Sequence, residues 1–284
     1  MKKLLLRNIY SILGTAGGLI TIFVSFVWLK DSEILMPAEY KYLQEVVNEL
    51  ARSNDLGQRP ISFTIVSGSF TAWSAAELGL CRQDNCAHYR ELNPFINYLG
   101  ENSEDINEAI RQSYLFNGIE AYSWPNGTIT ISRSTFRSYG DNKSFLGCLI
   151  GHELTHFLNN DVFNQSLRSG QEGSDLNEEE RNLLSMRISR ELETKADIGG
   201  AKMLINAGFP KKTCLDELTF SHQIEGNGYE TREESSHPGY NDRYSALKDF
   251  IDAYSTDENN SLDSTKGDWE FKRDDNVLIY IPGL

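Results

Sequence analysis

The sequence predicts an α+β fold: a mainly helical domain with a small sheet, carried behind one membrane-spanning helix at the N-terminus. Three observations predict it. Apolar residues recur at spacings of three and four through 144–158 and 178–206, the pattern of helices with one buried face. Short β-prone runs at 61–66, 128–132 and 276–281 read as strands. Ile9 to Leu29 carries no charged side chain and matches the ~20 apolar residues that cross a bilayer.

The elements follow in chain order. Residues 1–8 hold Lys2, Lys3 and Arg7, whereas Lys30, Asp31 and Glu33 follow the apolar run, so the charge bias leaves the N-terminus in the cytoplasm. A cleaved signal peptide is the rival reading. Arg7 and the lack of a small-x-small cleavage site favour an anchor at 9–29. Residues 30–254 are expected to form the main domain. Within it Tyr40, Leu43, Val46, Val47 and Leu50 predict a helix over 36–55, and Ile61–Val66 a strand. Residues 75–120 read as a mostly helical insertion.

After the Asn126-Gly127 turn, Thr128, Ile129, Thr130, Ile131 and Ser132 alternate as a half-buried strand, expected at an edge of the sheet. An edge strand can hold an extended peptide by backbone hydrogen bonds, which makes these five residues candidate substrate-binding positions. Asp141, Asn142 and Ser144 supply caps for the next helix, whose apolar stripe is Leu146, Leu149, Ile150, Leu154, Phe157 and Leu158. Asn159-Asn160-Asp161 ends it. Residues 162–177, rich in Ser, Gly, Gln and Asp, read as a loop. The helix over 178–206 stops at Gly208 and Pro210. Residues 255–284 comprise a polar linker, 255–267, and a final strand. That strand either pairs structurally in the sheet or lies on Thr128–Ser132 as a restraint.

His152-Glu153-Leu154-Thr155-His156 carries the chemistry. Two histidines four apart share one helix face and can grip one zinc ion, with Glu153 placed as a base for water. A catalytic zinc needs a third protein ligand, and Asn159 and Val162 stand where an extended motif would put Gly and His. Glu193 and Asp197 are four apart on the second long helix. One carboxylate can bind the metal while the other accepts the ring N–H of a ligating histidine. Glu193 is the expected ligand; Glu191 lies on the far side of that helix.

His152–His156 followed by Glu193-x-x-Ala196-Asp197 resembles the gluzincin peptidases of the HtpX, BepA and CaaX-prenyl-protease type. Residues 121–132 resemble that family's turn and edge strand, and Ser236-His237-Pro238 with Arg243 resembles its downstream His-Pro element. The likeness spans roughly 115–250; residues 75–114 match nothing in it. It implies one Zn²⁺ per chain, His237 near the metal as an oxyanion donor, and Arg243 bracing the acidic helix. It also implies endopeptidase work on misfolded or misassembled envelope proteins, from a periplasmic domain anchored in a bacterial inner membrane. A mitochondrial inner membrane is the lesser alternative. Asn159, Asn160 and Asp161 depart from the more basic helix end common in relatives.

A net charge of −14 argues against nucleic acid as partner and leaves polypeptides as the expected substrate class. Four cysteines suit an oxidising compartment. Cys81 and Cys86 could close a small loop, and Cys148 could pair with Cys214. A second reading keeps the metal and the strand but not the cutting: a zinc-bearing chaperone or assembly factor that holds polypeptides. Intact Glu153 favours the enzyme, because a holder needs no base. Oligomeric state has no signal in the sequence.

Overall fold

The computed structural model describes residues 36–66, 118–225, 228–255 and 267–283. The anchor at 9–29, nearly all of the 75–120 insertion, Cys81 with Cys86, and most of the linker lie outside the described residues. No helix among the described residues is long and apolar enough to cross a membrane.

Helix α1, Ala38–Ala51, buries Tyr40, Leu43, Val46, Val47 and Leu50 on one face, as their spacing requires. It is shorter than the 36–55 expected. Pro37 precedes its first turn, and Asn54 folds back at its end to donate to the carbonyls of Leu50 and Met203. Strand β1 is Ile61–Val66, followed by β2, Ala121–Ser123, and β3, Thr128–Ser132. The β2–β3 hairpin turns through Trp124 to Gly127, where the Gly127 N–H donates to Trp124 O and φ is 86°, a conformation suited to glycine. Helix α2, Arg133–Tyr139, is a short element the sequence did not signal. Helix α3, Lys143–Asn159, carries the histidine motif and starts at Asn142, whose side chain accepts from the Phe145 N–H. Helix α4 is Asp161–Glu172 and α5 is Glu178–Asn206, the latter opened by an Asn177–Glu180 capping box. Helices α6, Thr213–Glu225, and α7, Tyr240–Ala253, precede β4, Asp268–Lys272, and β5, Val277–Ile281.

The described residues thus form an α+β fold with seven helices and one mixed sheet of five strands, ordered β2-β3-β1-β5-β4. β1 runs parallel to β3; the other pairs are antiparallel. Phe63, Ile129, Ile131 and Leu278 are fully buried, so one face of the sheet meets the helices in a shared core with Leu146, Ile150 and Leu154 of α3. Tyr40 ties α1 to the sheet: its hydroxyl accepts from Ile65 N–H and donates to Asn276 O.

Two expectations are corrected here, and one open alternative is decided. Thr128–Ser132 is not an edge strand: β2 pairs on one side of it and β1 on the other, and four of its five residues are buried. Its Thr/Ile alternation reports a pleat, not the identity of its neighbours; among the described residues β2 ends the sheet on this side and β4 on the other. Residues 162–177 are mostly helix rather than loop. Asn160, in a left-handed turn, ends α3 and opens α4, and an Arg168–Glu172 pair one turn apart supports the helix. The last strand does not lie on β3. It pairs with β1 and β4 and buries Leu278 and Tyr280, so it is a structural strand.

Candidate metal centre

The site is built where α3 crosses α5. A Cβ on Gly200 would stand 2.7 Å from His152 N, one on Gly151 would stand 2.9 Å from Gly200 Cα, and one on Gly199 would strike the Thr155 side chain. Three missing side chains let the two backbones touch. That contact brings the histidine face of α3 opposite Glu193 of α5.

His152 Nε2 and His156 Nε2 face each other at 3.1 Å. Glu193 Oε2 lies 3.2 Å from the first and Oε1 3.4 Å from the second. Each histidine is held from behind: His152 Nδ1 is 2.9 Å from Asp197 Oδ1, and His156 Nδ1 is 2.9 Å from Asp161 Oδ2. With both Nδ1–H groups donated to carboxylates, each ring in its neutral form presents its Nε2 lone pair to the same point as the Glu193 oxygens. Facing acceptors repel unless a cation lies among them. Glu193 Oε2 is also buried without a hydrogen-bond partner. The three side chains therefore form a group that could hold a metal ion. Two imidazoles and a carboxylate are a donor set that zinc and other first-row divalent metals accept.

Arg243 of α7 donates from Nε to Asp197 Oδ2 at 2.8 Å and from Nη2 to Oδ1 at 2.6 Å. Burial alone would push the Asp197 carboxyl up, but this guanidinium and His152 hold it far below the usual carboxylate range. Arg243 thus fixes the carboxylate that orients His152. Glu191 points away and pairs with Arg168 at 3.0 Å. Glu153 is buried beside the histidines, and burial pushes its carboxyl up; the backbone of Ser123 in β2 hydrogen-bonds it and pulls the other way. His237 sits at the open rim, with Nε2 3.4 Å from Glu193 Oε2 and Nδ1 2.9 Å from Ser236 Oγ. Its loop is pinned from α5, where Arg190 Nη1 donates to the carbonyls of Arg232, Glu233 and Ser235.

A cleft of about 790 Å³ opens over these groups, lined by β2 on one side and by α6, the His237 loop and Arg243 on the other. His152, Glu153, His156, Glu193, Asp197, His237 and Arg243 all border it, as the sequence suggested. Thr128, Ile129, Thr130, Ile131 and Ser132 do not; Ala121, Tyr122 and Ser123 of β2 take that place. Sequence reasoning also missed Asp161, read only as part of a helix end. The available signal was an acid just past the second histidine. Cys148 and Cys214, whose pairing the sequence left open, form a disulfide that joins α3 to the start of α6.

No protein-family model matches this chain, and no curated protein is similar to it at a significant level.

Proposed function

We propose that this chain is a zinc-dependent endopeptidase whose substrates are misfolded or misassembled envelope polypeptides, anchored by residues 9–29 with its domain on the periplasmic side. The observation that carries the reading is the convergence of His152, His156 and Glu193 with a buried carboxylate, Glu153, in a cleft bordered by strand β2.

His152, His156 and Glu193 would hold the zinc. When bound, the ion lowers the pKa of water and polarises a peptide carbonyl. Glu153 accepts a proton from the attacking water and delivers it to the leaving amine, a task suited to a carboxyl raised by burial. A substrate strand added beside β2 would be held by backbone hydrogen bonds, without a demand for sequence. In the tautomer whose Nδ1 accepts from the Ser236 hydroxyl, His237 has an Nε2–H to donate to the oxyanion that develops.

The test is a metal and activity comparison. Glu153→Gln is expected to keep about one zinc per chain and lose hydrolysis of casein or an unfolded outer-membrane protein by on the order of a hundredfold or more. Glu193→Gln should lose metal where Glu191→Gln keeps it. Wild-type turnover in Glu153→Gln would end the assignment. Binding of unfolded protein with no turnover in any variant would instead support a zinc-bearing holder.

A further inference from the structure

Beyond the groups that act on the peptide bond, the far wall of the cleft holds one carboxylate without an assigned task. Glu217 lies on α6, three residues after Cys214; His152 lies on α3, four residues after Cys148. The disulfide therefore fixes Glu217 at a set distance from the metal ligands, and both residues border the same cleft. Oε1 of Glu217 accepts from both the Tyr139 hydroxyl and the Ser221 hydroxyl. Among the described residues none hydrogen-bonds Oε2, and the side chain lines the cleft. Arg243, the nearest fixed cation, is committed to Asp197 through two hydrogen bonds and makes no ion pair with Glu217. This side of the cleft presents Leu218 and Leu247 together with Ser221, His222 and Arg243.

A carboxylate oxygen in a cleft that also presents Leu218 and Leu247 fits a side chain with an aliphatic stem and a cationic head. We propose that Glu217 is a specificity-determining residue: it accepts the ammonium or guanidinium of a lysine or arginine near the scissile bond, so that the cleft selects polypeptides with a basic residue at that position. Two hydroxyl donors on Oε1 orient the carboxylate toward this task. Burial raises the carboxyl while those donors and Arg243 oppose the rise, and an arriving cation adds to the ionised side. The proposal rests on the endopeptidase reading for its place in a reaction, but binding alone can test it.

Two fluorescent peptides, identical except for lysine or norleucine at one central position, are titrated into the full zinc-loaded Glu153→Gln chain. Norleucine keeps the stem and lacks the ammonium. The lysine peptide is expected to bind roughly tenfold more tightly, the scale of one charge-assisted hydrogen bond. In Glu153→Gln/Glu217→Gln the lysine-to-norleucine ratio should fall toward one. Equal affinities in the first protein overturn the proposal. So does a Glu217→Gln change that weakens both peptides alike and keeps the ratio, which would leave Glu217 as a brace for Tyr139 and Ser221. Hydrolysis of the same peptides by the chain with Glu153 intact separates the two readings. A binding preference without cleavage sinks the endopeptidase and keeps the subsite, while cleavage without preference does the reverse.

Discussion

Each ligating histidine has its own carboxylate behind it, and the two carboxylates are held differently. Asp197 is clamped by Arg243, so its charge is balanced before it touches His152. Asp161 is buried at the first turn of α4 and meets His156 alone of the basic groups. Removing the charge while keeping the shape should loosen the ring and lower its basicity. Asp161→Asn is expected to weaken zinc binding by about tenfold to a hundredfold, read by competition with a chelating dye. An unchanged affinity would reduce Asp161 to a helix-start residue. Asp197→Asn should cost stability as well, since it leaves the buried Arg243 guanidinium without its counter-charge.

At the scale of elements, the distance between α3 and α5 is the quantity that matters. Glu193 reaches the histidines only because Gly151, Gly199 and Gly200 let the helix backbones approach. The atoms that a Cβ on Gly200 would meet are His152 N, Gly151 C and Cys148 O, all main chain, which no rotamer change can relieve. Gly200→Ala should therefore lower stability by about 1–3 kcal/mol in urea melts and weaken metal binding with it. Gly170 of α4 is the control, because it sits inside a helix and a Cβ there would have nothing within 4 Å. Gly170→Ala should raise stability by up to about 1 kcal/mol through helix propensity and leave metal affinity alone. The opposite order of effects would show that helix spacing does not set the site.

For the whole molecule, the sheet decides how much of the chain is needed. β5 comes last in sequence but lies in the middle of the sheet order, between β1 and β4. Its Leu278 and Tyr280 belong to the same core as α3, and Asn276 O accepts the hydroxyl of Tyr40. Truncation after Ser255 would remove both β4 and β5 and open one side of β1. The expected result is a lower melting temperature and loss of zinc binding together, since a single buried Leu alone contributes about 2–5 kcal/mol. A truncated chain with unchanged melting temperature would contradict a structural role for this hairpin.

What the sequence determined by itself was everything that repeats with a local period or sits within one turn of its cause. The helix over 178–206 was legible from its apolar spacing and from Gly208 and Pro210 at its end, while the Asn177–Glu180 capping box that opens it emerged in the structure. The histidine face, the Glu193–Asp197 pair and strands 61–66 and 128–132 were legible for the same reason: side-chain direction follows from backbone period alone. Tertiary structure decided which of these meet. The strand order that encloses Thr128–Ser132 and leaves Ala121–Ser123 terminal depends on closing loops of many residues, and no local alternation encodes that. The same holds for the Cys148–Cys214 bridge and for Glu217, an ordinary acid in its helix until α6 is laid along the cleft. Polar α4 was hidden by composition, because its stability comes from the Asn160 turn, an Arg–Glu pair and contact with α5 rather than from an apolar stripe. Local chemistry chose the tools; the close approach of two helices across three glycines made them one site.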